Sequence, residues 1–162
     1  MCSKDSKIKE IQFQNSEFLP EIVKLLDSGH TVTLKLKGRS MRPFLEDGRD
    51  KALLTKAGSI SVGDAVLAEV AKGTYVLHRI VKIDGDNVTL RGDGNLGIER
   101  CHANDVKGAV IGFYRKGCQT LDRTDSMKWR VYSLVWMRLY PIRRYLLAFH
   151  RLIWLRLFPV KK

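Results

Sequence analysis

From Thr31 onward the apolar residues fall on every second position. In TVTLKLK, residues 31–37, Val32, Leu34 and Leu36 alternate with threonine and lysine, the spacing of a strand with one buried face. Further short apolar runs follow: DKALL, DAVLAEV, TYVLHRIV, NVTLR and VKGAVIGFYR. Between them stand EDGR, KAGS, SVGD, AKG, DGDN and GDGN, each a turn signal. No helix-length pattern interrupts the series. It points to a mainly β domain, an antiparallel barrel or sandwich, over residues 31–126. Ahead of it a helical period shows. SEFLPEIVKLLDSG, residues 16–29, sets Leu19, Ile22, Val23 and Leu26 on one face, with Ser16 as cap, Pro20 in the first turn and Gly29 at the end. Residues 1–30 are therefore expected as a helical segment packed on the domain.

At 162 residues and 44% hydrophobic content the chain suits one domain with a sizeable core. The net charge is +12, but the nine Lys and Arg residues from Lys128 onward have no acidic residue among them, which leaves +3 for residues 1–127. The three cysteines, Cys2, Cys101 and Cys118, are odd in number and lack CxxC spacing. They read as free thiols rather than a disulfide framework or zinc site. No metal-ligand cluster and no phosphate loop appears, so no cofactor is expected. MCSKDSKIKEIQFQ, at the N-terminus, has no apolar stretch and reads as neither secretory signal nor membrane span.

Residues 127–162 differ in kind. They hold all three tryptophans and eight of the fourteen aromatics, yet no uncharged run exceeds seven residues, far short of the roughly 20 that a spanning helix needs. Pro141 divides the stretch into two helices. In the second, Tyr145, Leu146, Phe149, Leu152, Ile153 and Leu157 share one face, and Arg143, Arg144, His150 and Arg151 the other. Arg156 falls on the apolar side and must snorkel. This basic, aromatic, amphipathic tail suits a membrane surface, contacted through residues 128–162. The plainer alternative is a helical hairpin docked on the β domain or on a partner. Nucleic acid is disfavoured, because the tail is too apolar for a solvated arm and the β domain is near neutral.

One stretch raises a chemical question. KGRSMRPFLEDGRD, residues 37–50, follows the first strand and presents Ser40. A serine becomes a nucleophile only when a base takes its proton. Of the four histidines, His78 stands mid-strand in YVLHRIV, on the side of Val76 and Ile80. Asp93 lies in the glycine-flanked turn RGDGN. On residues alone Ser40 stays open between turn serine and nucleophile, while His78 reads as a core histidine and Asp93 as a turn former.

Taken in order, four boxes resemble the type I signal peptidase family and its wider superfamily, which includes the self-cleaving SOS repressors. They are Ser40-Met41-Arg42-Pro43, Gly63-Asp64, His78-Arg79 and Gly92-Asp93-Gly94-Asn95. The resemblance covers roughly residues 32–113. In most bacterial members and the repressors the base is a lysine; the histidine followed by arginine found here resembles the archaeal and endoplasmic-reticulum form. The resemblance implies a barrel-like β fold and a serine endopeptidase acting on a leader or precursor peptide. Ser40 would be the nucleophile and His78 the base, with Asp93 orienting or charge-stabilising His78 and Asp105 a second candidate for that support. Met41 and Pro43 would contact substrate, and the Ser40 N–H would hold the oxyanion. Signal peptidases often carry a serine or threonine two residues before the nucleophile, where this chain has Gly38. The preceding thirty residues also read as neither a membrane anchor nor a helix-turn-helix domain. The expectation is thus a compact peptidase held peripherally at the cytoplasmic face by its tail. The alternative is a catalytically inactive peptide-binding relative recruited to a membrane in the same way.

Overall fold

A computed structural model describes residues 15–116 and 118–157; Cys2, the start of the N-terminal segment and the last five residues of the tail lie outside them. Helix α1, Asn15–Asp27, leads into eight strands. These are β1 (Val32–Lys35), β2 (Lys51–Lys56), β3 (Ala65–Ala71), β4 (Thr74–Asp84), β5 (Asn87–Arg91), β6 (Glu99–His102), β7 (Val106–Tyr114) and β8 (Leu121–Arg123). All pair antiparallel in one sheet of order β1-β2-β7-β3-β4-β5-β6, with β8 added to β7. The sheet curls until β6 approaches β3. The mainly β, antiparallel fold expected from the alternation is therefore present.

Two apolar layers form on the two faces of this sheet. Central β3 shows why: Ala65 and Leu67 join one layer while Val66 and Ala68 join the other, so it reads as a continuous apolar run. On the first face α1 inserts Leu19, Ile22 and Leu26, spaced along one helix side and buried. Gly108 on β7 makes this approach possible, because a Cβ there would stand 2.8 Å from Leu26 Cδ1. Burying each such leucine or isoleucine contributes about 1.5–3 kcal/mol, and Leu26→Ala would cost about 2–5 kcal/mol. The helix begins at Asn15, one residue before the serine expected to cap it. Gly29, at φ +83°, ends it as expected.

The tail folds onto the same face. Helix α2, Met127–Arg138, is capped by Ser126, whose hydroxyl accepts from the Trp129 N–H. Trp129 and Trp136 are buried, and Trp129 and Tyr132 meet Phe44 at ring-centroid distances of 4.8 and 4.4 Å. Pro141 sits in a 3-10 turn, Tyr140–Ile142, that separates α2 from α3, Arg143–Phe149. From there a π-helical turn, His150–Trp154, runs into a last helical turn, Leu155–Leu157. Among the described residues no helix is long and apolar enough to cross a membrane.

Candidate active site

The loop between β1 and β2 carries Ser40, and several bonds hold it. Leu36 N–H donates to the Asp50 carbonyl and Gly48 N–H to the Leu36 carbonyl, closing the loop at its base. Buried Asp50 then fastens it from within, its carboxylate accepting from the Glu46 and Lys116 N–H groups and from Arg49. Burial pushes the Asp50 carboxyl up, but these donors outweigh it and leave the group below its ordinary value. Arg42 pairs with Glu46 along the loop. The Ser40 carbonyl accepts from Gly94 N–H at 2.7 Å. That bond ties the serine to the turn after β5.

Strand β4 carries the histidine. His78 is 4% exposed, and its Nδ1–H donates to Glu99 Oε2 at 3.0 Å. This bond leaves Nε2 with the lone pair. Nε2 faces Gly92, where a Cβ would stand 3.0 Å from it and would also collide with the Ser40 carbonyl. Ser40 and His78 thus meet the same bare glycine and line one cleft of about 150 Å³. Among the described residues neither the hydroxyl nor the N–H of Ser40 has a hydrogen-bond partner. Burial lowers the His78 pKa; the charge of Glu99, its hydrogen bond and the charge of Asp93 pull it back up. The net position stays below the ordinary imidazole value. His78 is therefore neutral at pH 7 and competent as a base.

Sequence register explains how Glu99 arrives. Ile80 pairs with Leu90, and Leu90 with Glu99, so one row crosses three strands on one face. His78 lies two residues along β4 from Ile80 and faces the same way. Continuing the β4–β5 register one step beyond Arg79–Arg91 sets Gly92 opposite His78. With no side chain there, the glutamate reaches across.

Of the two parts expected of Asp93, orienting His78 or stabilising its charge, the first falls to Glu99 and the second is kept at a distance, while its hydrogen bonds go elsewhere. Its carboxylate receives Arg79 Nε and Nη2 at 2.9 and 2.6 Å, both side chains being 1% exposed. Arg79 also donates to the Gly63 carbonyl and Ser133 hydroxyl, and Tyr132 O–H reaches Asp93 at 3.4 Å. No hydrogen bond joins Asp93 to His78; its charge alone acts on the ring, and Glu99 is the group that orients it. Asp105, half-exposed, accepts from the His102 N–H and pairs with Lys107, and is not among the groups that shift His78. Gly63-Asp64 contributes backbone, through Gly63 N–H to the Ile80 carbonyl and Ile80 N–H to the Asp64 carbonyl. Met41 lines the cleft beside Leu36, Leu67 and Leu77. Pro43 does not line it; it follows a cis peptide that leads the chain into buried Phe44 and Leu45.

Glu99 was outside the expected set, because GIERCH shows no alternation. A signal was available in the His78-Arg79 dipeptide. Successive strand residues face opposite sides, so the arginine and the histidine there need separate acceptors, and a single Asp93 cannot serve both.

Comparison with curated proteins yields no match. The profile of the Peptidase S24-like family, however, matches residues 3–112, well over half of the chain, and the match takes in Ser40, His78, Asp93 and Glu99. The chain belongs to the Peptidase S24-like family, and a serine-peptidase type of function follows from that membership.

Proposed function

We propose that this family member is a serine endopeptidase of the signal-peptidase type, cleaving a leader or precursor peptide with Ser40 as nucleophile and His78 as general base. What supports the reading most is the state of His78: buried, neutral, held at Nδ1 by Glu99 and turned at Nε2 toward the wall it shares with Ser40. His78 takes the hydroxyl proton as Ser40 Oγ attacks the scissile carbonyl, then delivers it to the leaving amine. The unpaired Ser40 N–H stabilises the oxyanion. Water, deprotonated by the same imidazole, then releases the acyl group. Met41 and the leucines of the cleft hold the substrate beside the cleaved bond. In this reading the basic tail keeps the enzyme peripherally on the cytoplasmic face of a membrane.

One observation favours the second reading, an inactive peptide-binding relative: the Ser40 hydroxyl is not hydrogen-bonded to His78. Such bonds commonly close only when substrate arrives, so this observation weighs less than the state of the histidine. The test is cleavage of precursor peptides with small residues before the cut, with wild type, Ser40→Ala and His78→Ala compared by mass spectrometry. Loss of cleavage in both variants is the expected result. Cleavage that survives in both sinks the mechanism, and binding without cleavage by wild type favours the second reading.

A further inference from the structure

The C-terminal helices are built the wrong way round for water. On α2 the inner side carries Trp129, Ser133 and Trp136, each buried. The outer side, Met127, Val131, Leu134 and Val135, is also apolar, and these side chains are 74, 51, 50 and 49% exposed. The second helical stretch is inverted in part, since Arg144 and Arg151 stay exposed. Arg143, expected on its solvent side, is 2% exposed and donates to the Trp136 carbonyl at 2.6 Å. His150 is half-buried within electrostatic reach of Arg42 and Glu46. Tyr145, Phe149 and Leu152 face outward at 68, 53 and 64% exposure. A helix facing water shows its polar side outward and hides its apolar one; this one turns Arg143 and His150 toward the domain and leaves its apolar side exposed.

Of the sixteen exposed large hydrophobic side chains among the described residues, twelve lie between Met127 and Leu157. Among them stand six exposed cations, Lys128, Arg130, Arg138, Arg144, Arg151 and Arg156. No acidic residue follows Asp125. This combination discriminates between occupants. A second copy of the chain would bring an equal set of positive charges against the first. A nucleic acid would satisfy the arginines but leave leucine and phenylalanine side chains against water. An anionic lipid surface satisfies both, since rings and leucines enter the headgroup boundary while arginines meet phosphates.

We propose that the outward face of the C-terminal helical region, from Met127 to Leu157, is a docking surface for anionic lipid on which the protein lies without spanning. This deepens the peripheral placement proposed with the peptidase reading, although docking does not depend on catalysis. Glu46, next to His150, lines the Ser40 cleft. The docked face therefore carries the rim of that cleft one helix away from the bilayer.

The test is flotation of the full chain, carrying Ser40→Ala so that no cleavage enters the result, with phosphatidylcholine vesicles containing or lacking phosphatidylglycerol. Flotation is expected with the anionic vesicles. It should weaken at least about tenfold in a Phe149→Glu/Leu152→Glu variant and about fivefold for each of Arg144→Gln and Arg151→Gln, with the melting temperature of the β domain unchanged. Absence of flotation overturns the proposal, as does equal flotation by the glutamate variant. A dimer in sedimentation that the glutamate variant disperses, without vesicle binding, assigns the face to a second copy and also overturns it. RNA binding that high salt abolishes, without vesicle binding, does the same. Failure here leaves the cleavage test standing, and failure there leaves this one standing.

Discussion

His78 and Arg79 are neighbours on β4, each pairs with an acid, and the two pairs have opposite characters. Arg79–Asp93 is sealed, with both side chains 1% exposed and the carboxylate held by two guanidinium nitrogens and a tyrosine. Every strong donor is spent, so the pair has nothing left to offer a substrate. His78–Glu99 is left partly open. The glutamate side chain is 31% exposed, the imidazole is neutral, and one ring nitrogen remains unengaged over a glycine beside Ser40. A saturated pair holds structure together, and an unsaturated one can move a proton. The strand alternation that turns one side chain to each face lets adjacent residues serve these two ends.

Breaking the open pair at its centre should have the largest effect. Ser40→Ala or His78→Ala should lower kcat/KM by at least about 10⁴-fold, measured on a peptide identified by the cleavage screen. Ser40→Ala should leave circular dichroism unchanged. Breaking the sealed pair should act on stability instead. Arg79→Leu leaves Asp93 buried without its partner and should cost about 3–5 kcal/mol in urea unfolding, while an Arg79→Leu/Asp93→Leu double variant should recover most of the loss. If activity falls in proportion to folded protein and no further, the division between the pairs holds.

Glu99→Gln sharpens the contrast from the other side. Turnover should fall about a hundredfold through loss of ring orientation, with little change in unfolding free energy. The sign of the pH effect is fixed. In the proposed mechanism activity requires neutral His78 and so rises with pH through its pKa, which burial holds below the ordinary value against the upward pull of Glu99. Removing that pull moves the acidic limb of the kcat/KM profile to lower pH; a shift to higher pH would show that Glu99 does not act on His78 as described. The smallest effect belongs to Asp105→Asn. Its carboxylate serves a turn at the surface, so activity should stay the same and stability should change by under about 0.5 kcal/mol.

The alternation of apolar residues made β1 to β5 and β7 legible, because each packs apolar side chains against a core on at least one face. It failed at β6, where ERCH lies at the sheet edge with no buried residue, and at β8, where three residues are too few to show a period. The site divides along the same line. Ser40, His78 and Met41 sit within local boxes, so the chain itself marks them. Glu99 depends on a register running across three strands and on the bareness of Gly92, neither of which has a local signature. Asp93 drew attention through its glycine-flanked turn. Its actual partner, Arg79, was visible in sequence only as the residue after the histidine.

Of the two readings of the tail, docking on the β domain is met by α2: Trp136 Nε1–H donates to the Asp93 carbonyl at 3.1 Å, and Ser133 receives Arg79. The next residue of that turn, Gly94, holds Ser40 through its N–H. The region that matches the family and the unit of folding therefore differ: the match stops at residue 112, whereas the helix that covers the Arg79–Asp93 pair begins at Met127. A fragment trimmed to the shared region would open that pair to water and loosen the turn behind the serine. Grafting a relative's C-terminus in its place would preserve the pair only where the incoming helix supplies an equivalent tryptophan and hydroxyl at the same spacing.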